Sequence, residues 1–181
     1  AMYNFYTADA SVNGGRNMCP VGWHVPDVSE WTVLTDYLGG ASIAGGRLKE
    51  TGTEHWQSPN TGAADDYGFT ALPGGYRGID GIFRSLGNYG VWWSSDKLND
   101  LEASNRSMSY NSASVSQLMR DQQVGFSVRC IKDSYAQQTI PLVLTAGWNI
   151  LSIAVTPADN SMSTIFDPLI KAGELVKVQD E

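Results

Sequence analysis

Apolar positions in this chain follow two different periods, and the switch between them organises it. From Asp27 to Gly40 the residues Trp31, Leu34 and Leu38 recur at helical spacing, with Tyr37 flanking that face. Asp27, with Glu30 three residues later, forms a capping-box pair, and Gly39-Gly40 supplies a left-handed stop. A second, shorter helix is expected over residues 43–50, weakened by Gly45-Gly46. Further on, the texture is that of strands. Val91-Trp92-Trp93-Ser94-Ser95 reads as a buried strand, with one of the two tryptophans expected to face outward. Residues 103–110 alternate, with Met108 and Tyr110 on one parity and Ser107 and Ser109 on the other. Asn111-Ser112-Ala113 has hairpin-turn composition, Val115 to Met119 alternates again, and Gly125 to Ile131 reads as a last strand. Residues 3–7 show the alternation of an edge strand, and residues 69–77 a short strand broken by Pro73-Gly74-Gly75. Pro20 and Pro26 exclude a helix between them, and residues 51–68 have loop composition. Helices first and a small antiparallel sheet second predict an α+β domain over residues 1–133.

After Asp133 the pattern changes. Residues 134–138 read as a linker. Ile140, Leu142 and Leu144 then alternate, and Gly147-Trp148-Asn149 turns into the apolar run from Ile150 to Val155. Residues 139–181 are expected to be part of a second β-rich domain, or an appendage packed on the first.

Charge and composition narrow the function classes. The 181 residues carry 12 Lys+Arg against 19 Asp+Glu, a formal net charge of -7. Nucleic-acid binding relies on clustered cations that release phosphate counterions, and this balance argues against it. No apolar run has the roughly 20 residues of a membrane helix, so no membrane insertion is expected. The N-terminus lacks a basic-then-apolar leader, and the opening Ala-Met reads as an expression scar, which is compatible with a leader trimmed away. Cys19 and Cys130 have neither metal-site nor redox-motif spacing. Two buried thiols or one bridge remain open. The bridge is favoured: it closes a loop of about 110 residues, contributes roughly 4–5 kcal/mol on a chain-entropy basis, and implies an oxidising compartment.

Candidate chemistry is sparse. His24 and His55 are the only histidines, and they read as a hydrogen-bonded structural residue and a surface residue. Catalysis is not expected. Asn60, Asp65 and Asp66 place oxygen donors in one loop, a candidate Ca²⁺ set against the plainer reading of an Asp-rich turn. Trp23, Trp31, Trp92 and Phe126 are assigned to the core, and Arg77 and Arg129 to buried paired roles. Asn105-Arg106-Ser107 matches a glycosylation sequon, read as chance. Residues 99–123 are rich in Asn, Ser, Tyr, Asp and Arg, a composition that suits adaptable hydrogen bonding as well as a solvated hairpin.

Four blocks carry a family resemblance. They are Cys19-Pro-Val-Gly-Trp-His-Val-Pro26 with Glu30-Trp31 and Leu34; Gly68-Phe69-Thr70-Ala71-Leu72-Pro73-Gly74-Gly75-Tyr76-Arg77; Trp92-Trp93-Ser94-Ser95; and Gly125 to Asp133. Together they resemble the Fibrobacter succinogenes major paralogous domain, which is similar to the C-type lectin fold. Formylglycine-generating enzymes and retroelement-diversified variable proteins share that fold. Residues 144–157 resemble a GWNLIS-type β segment. The resemblance implies a C-type-lectin-like domain, pairing of its N- and C-terminal strands, and a secreted or cell-surface recognition and adhesion module, with the special case of a diversified variable protein. The partner implied is a glycan or cell-surface protein, held by Asn99, Asn105, Ser107, Ser109, Tyr110, Asn111, Ser114, Ser116, Arg120 and Asp121. The Glu-Pro-Asn and Gln-Pro-Asp motifs of calcium-dependent lectins are absent, which counts against calcium-bridged sugar binding. A structural spacer with no ligand is the alternative, and an enzyme of the formylglycine-generating type is a distant third.

Overall fold

The structure, a computed structural model, describes residues 1–9, 14–15 and 18–133. The chain divides into two units, Ala1–Ala136 and Gln137–Glu181, and every described residue lies in the first. The expected linker at 134–138 and the β-rich segment at 139–181 lie outside the described residues.

The best-specified element is the helix that begins after Asp27. Asp27 Oδ1 accepts from the Glu30 amide at 2.8 Å and Glu30 Oε2 accepts from the Asp27 amide at 2.9 Å, closing the capping box read from sequence. Two further helices flank it in the chain: α1 is Phe5–Ala8, α2 the capped helix Val28–Tyr37, and α3 Ala41–Leu48. Gly39 and Gly40, at φ 90° and 98°, make the turn between α2 and α3. The glycines that weaken α3 on propensity are what let it dock. A Cβ at Gly45 would lie 2.3 Å from the Ser114 carbonyl oxygen, and one at Gly46 2.3 Å from the Gly62 carbonyl oxygen.

The strand expected over residues 3–7 is not formed. Tyr3 makes one antiparallel bridge with Phe126, and the chain then turns helical. Phe5 and Ala8 are both buried, and only a helical turn puts residues three apart on one face.

Among the described residues seven strands follow: β1 Trp23–His24, β2 Tyr76–Arg77, β3 Phe83–Arg84, β4 Tyr89–Lys97, β5 Glu102–Ser109, β6 Ser116–Asp121 and β7 Ile131–Lys132. The arrangement is mixed α+β and mostly β. The central sheet is antiparallel in the order β4-β5-β6; β1 pairs with β7 and β2 with β3, both antiparallel. Beside the β1–β7 pair lies the Cys19–Cys130 disulfide, with Cα atoms 5.8 Å apart. The expected last strand from Gly125 to Ile131 is broken. Gly125 bridges Arg77, Phe126 bridges Tyr3 and Ser127 bridges Trp92, so each residue has a different partner before β7 begins. Of the strand expected over 69–77, β2 forms and Ala71 makes only a parallel bridge to Lys49.

Each face of the central sheet carries a core. Trp92 and Met108 pack with Trp31, Leu38, Leu48 and Trp56. Trp93 lies on the other face against Phe5, at 5.4 Å between ring centroids, and Phe126, at 4.5 Å. Neither tryptophan faces outward, because residues distant in sequence cover both sides. Trp23, assigned to the core, is instead 39% exposed. Arg77 and Arg129 are exposed rather than buried, and the Arg129 guanidinium sits 4.3 Å from the Phe69 ring centroid. Among the described residues no helix is long and apolar enough to cross a membrane.

Candidate functional site

The antiparallel register decides which side chains share a face. Trp93 stands opposite Asn105, and Asn105 opposite Leu118; Val91 stands opposite Ser107, and Ser107 opposite Ser116. Successive strand residues point to opposite faces, so Met108 enters the helix-side core while Ser107 turns the other way, as the alternation predicts. On the Ser107 side lies a groove of about 390 Å³. Asn105 and Ser107 of β5, Leu118 and Arg120 of β6, and Tyr89 and Val91 of β4 line it. Tyr76 and Ser85, from the two sides of the β2–β3 hairpin, and Val124 and Phe126 close it.

The hairpin is closed tightly on itself and joined to the sheet by the Gly75 amide, which donates to the Tyr89 carbonyl of β4 at 2.7 Å. A Cβ at Gly75, where φ is 69°, would lie 2.1 Å from the Arg84 carbonyl oxygen. Ser85 adopts the left-handed conformation at φ 59°, uncommon for a residue other than glycine, and its carbonyl accepts from the Asn88 and Tyr89 amides at 3.0 and 3.1 Å. That turn brings Ser85 and Tyr89 to the groove.

Two polar groups define the groove's chemistry. Asn105 is 1% exposed, and its Nδ2 donates to the Leu118 carbonyl at 3.0 Å. A carbonyl can only accept, which fixes the amide's orientation and leaves Oδ1 as the other end. That oxygen is buried and has no hydrogen-bond partner. An orphaned buried acceptor costs about 1–3 kcal/mol. Burial of the Asn105 side chain also keeps the sequon out of reach in the folded chain. Arg120 is exposed and donates from Nη1 to its neighbour's carbonyl, Met119, at 2.9 Å. Among the described residues no carboxylate pairs with it.

Asn105, Ser107 and Arg120 therefore come together, and the other binding residues read from sequence do not join them in the groove lining. Asn99 Oδ1 accepts from the Leu101 and Glu102 amides at 2.8 and 2.9 Å, building the β4–β5 turn. Asp121 Oδ1 takes the Gln123 amide at 2.8 Å. The Ser109 hydroxyl donates to Asn111 Oδ1 at 2.9 Å, and the Ser112 and Ser114 hydroxyls bond each other at 2.8 Å. Tyr110 packs against the helix-side core, and Ser116 is exposed opposite Ser107. Tyr76, Ser85 and Tyr89 carry no local signal of a site in the sequence; the β2–β3 pairing and its seat on the sheet bring in the first two, and the β4–β5 register brings in Tyr89.

The three loop residues expected to suit Ca²⁺ are used separately, with the carboxylates of Asp65 and Asp66 engaged elsewhere and Asn60 Oδ1 buried without a hydrogen-bond partner. Asn60 Nδ2 donates to the Glu50 and Gly52 carbonyls at 2.8 and 2.6 Å. Asp65 accepts from the Thr70 amide at 2.7 Å and the Thr70 hydroxyl at 2.8 Å. Asp66 lies 3.7 Å from Arg47. Among the described residues no three His, Cys, Asp or Glu side chains gather as a metal site.

His24 is clamped by two carboxylates. Nδ1 lies 2.5 Å from Asp133 Oδ1, and Nε2 lies 2.9 Å from Glu30 Oε1. The hydrogen bonds to Asp133 first, and then to Glu30, raise its pKa, because both ring nitrogens donate only in the imidazolium. The clamp joins β1, α2 and the segment leaving β7. His55 is exposed and rests on Glu50 at 2.9 Å.

A sequence model of the family described as Fibrobacter succinogenes major domain matches residues 1–132. Neither the curated proteins nor the solved structures include a match to this chain.

Proposed function

The chain belongs to the Fibrobacter succinogenes major domain family, and from that premise we propose that it is a non-enzymatic recognition module working outside the cytoplasm. The groove beside β5, with the unpaired Arg120 at its edge, is the observation that carries this reading. Its volume of about 390 Å³ falls within the range of pockets that hold small ligands or single residues of larger ones. The Cys19–Cys130 bridge supports an oxidising compartment, where such bonds persist. Paired terminal strands, two successive helices and a central antiparallel sheet support a C-type-lectin-like arrangement. Both cysteines are engaged in the disulfide and both ring nitrogens of His24 lie on carboxylates, so neither thiol nor that imidazole is free as nucleophile or base, which supports a binding role. The ligand proposed is a glycan on a cell surface or matrix.

A structural spacer is the second reading. It is favoured by the number of polar side chains in residues 99–123 that bond their own turns. A glycan and surface-extract screen of the full chain and of a Ser107→Trp variant separates the two. Ser107 is half-buried and belongs to neither core, so Ser107→Trp fills the groove from its β5 wall. Hits lost in the variant support recognition through the groove. Hits retained in it place recognition elsewhere, and no hit for either protein favours the spacer.

A further inference from the structure

We infer that the groove takes a carboxylate-bearing pyranose, a uronic or sialic acid residue of a glycan. This rests on the reading of the groove as a recognition site and names the chemistry it selects. Arg120 offers a guanidinium whose protein contact is a single carbonyl, that of Met119, and a carboxylate is the group a planar fork of donors fits best. Asn105 Oδ1 is an acceptor with no donor inside the protein, so it favours a ligand that brings a hydroxyl. The two residues lie on adjacent strands of one face, where Ala103 pairs with Arg120 and Asn105 with Leu118, so one ring can address both. Tyr76, Tyr89 and Phe126 supply flat apolar walls of the kind that cover the C–H face of a pyranose. A free aspartate or glutamate side chain carries the acid without an adjacent hydroxyl and uses only half of this set.

The experiment is calorimetric titration of the full chain with trigalacturonate, 3′-sialyllactose, neutral galactotriose and a tri-aspartate peptide, repeated with Arg120→Gln and Ser107→Trp. At least one acidic sugar is expected to bind tenfold or more tighter than galactotriose. Arg120→Gln is expected to remove that preference while leaving thermal stability unchanged, since Arg120 is exposed. Equal affinity for acidic and neutral sugars, lost in Ser107→Trp, overturns the acidic ligand and leaves groove recognition standing. Acid-sugar binding unchanged in Arg120→Gln overturns it as well. Binding of the peptide alone replaces the sugar with a protein partner. Silence from all four also overturns it, and the Ser107→Trp screen then decides whether recognition itself survives.

Discussion

Lys49 gives the sharpest test of how the unit is tied together. Its side chain is fully buried at the end of α3, with no carboxylate partner among the described residues. Nζ donates to the carbonyls of Thr61, Ser109 and Ser112 at 3.0, 3.0 and 2.9 Å, and lies 5.2 Å from the Trp56 ring centroid. One ammonium thus joins the end of a helix, a long loop and the β5–β6 hairpin. Burial pushes its pKa down to about 8, while three carbonyl acceptors oppose that shift; at pH 7 the group is charged. Lys49→Met keeps much of the stem and removes every donor. Each lost hydrogen bond to a charged donor is worth about 1.5–3 kcal/mol. Removing the charge also removes its desolvation penalty, of order several kcal/mol, which offsets part of that loss. The stranded Thr61 and Ser112 carbonyls, with the Ser109 carbonyl left only the Ser112 amide at 3.4 Å, outweigh the remainder, and the expected destabilisation is about 2–4 kcal/mol. For a domain of this size that lowers Tm by roughly 10 °C, read by circular dichroism at pH 7. A Lys49→Met protein melting at or above the wild-type temperature would show that desolvation dominates and refute the reasoning.

Three further outcomes are expected of the same structure. Gly45→Ala gains about 1 kcal/mol of helix propensity but drives a methyl to 2.3 Å from the Ser114 carbonyl oxygen, so urea denaturation should show a net loss of about 2 kcal/mol; a stabilised variant would contradict the docking of α3. Loss of the Cys19–Cys130 bridge, which spans 111 residues of sequence, should cost about 4–5 kcal/mol in a Cys19→Ala/Cys130→Ala pair, and mass spectrometry without reductant should find no free thiol in the wild type. The carboxylates around His24 raise its folded pKa, so its contribution is full below the unfolded value of 6.5 and fades as pH rises through the raised one. The side chain is 38% exposed and solvent-screened, so the effect should stay below about 1 kcal/mol. His24→Gln should accordingly narrow its stability gap to wild type between pH 6 and pH 9, and a gap that widens with pH would reverse the sign.

Local signals are legible where local physics decides. The capping box at Asp27 and Glu30 and the glycine stop at Gly39 need only neighbouring residues, and α2 forms between them. The parity that separates Met108 from Ser107 identifies the face on which the groove lies. Long-range contacts are not legible. Alternation puts Trp92 and Trp93 on opposite faces, but nothing local reveals that Phe5 and Phe126 cover the second. Composition marks Asn99, Asn111, Ser114 and Asp121 as binding residues, because the same side chains that suit a ligand also bond their own turns. Tyr76 and Ser85 enter the groove through the hairpin, whose closure depends on the absent Cβ at Gly75, and Tyr89 enters from the start of β4.

The most direct test of the groove is chemical-shift mapping of the full chain by nuclear magnetic resonance while the tightest-binding glycan is titrated in. Recognition through the groove predicts perturbations concentrated at Tyr76, Ser85, Tyr89, Ser107 and Arg120. Shifts confined to the Asn111–Ser114 turn or to the His24 clamp, with those five residues unmoved, would contradict it.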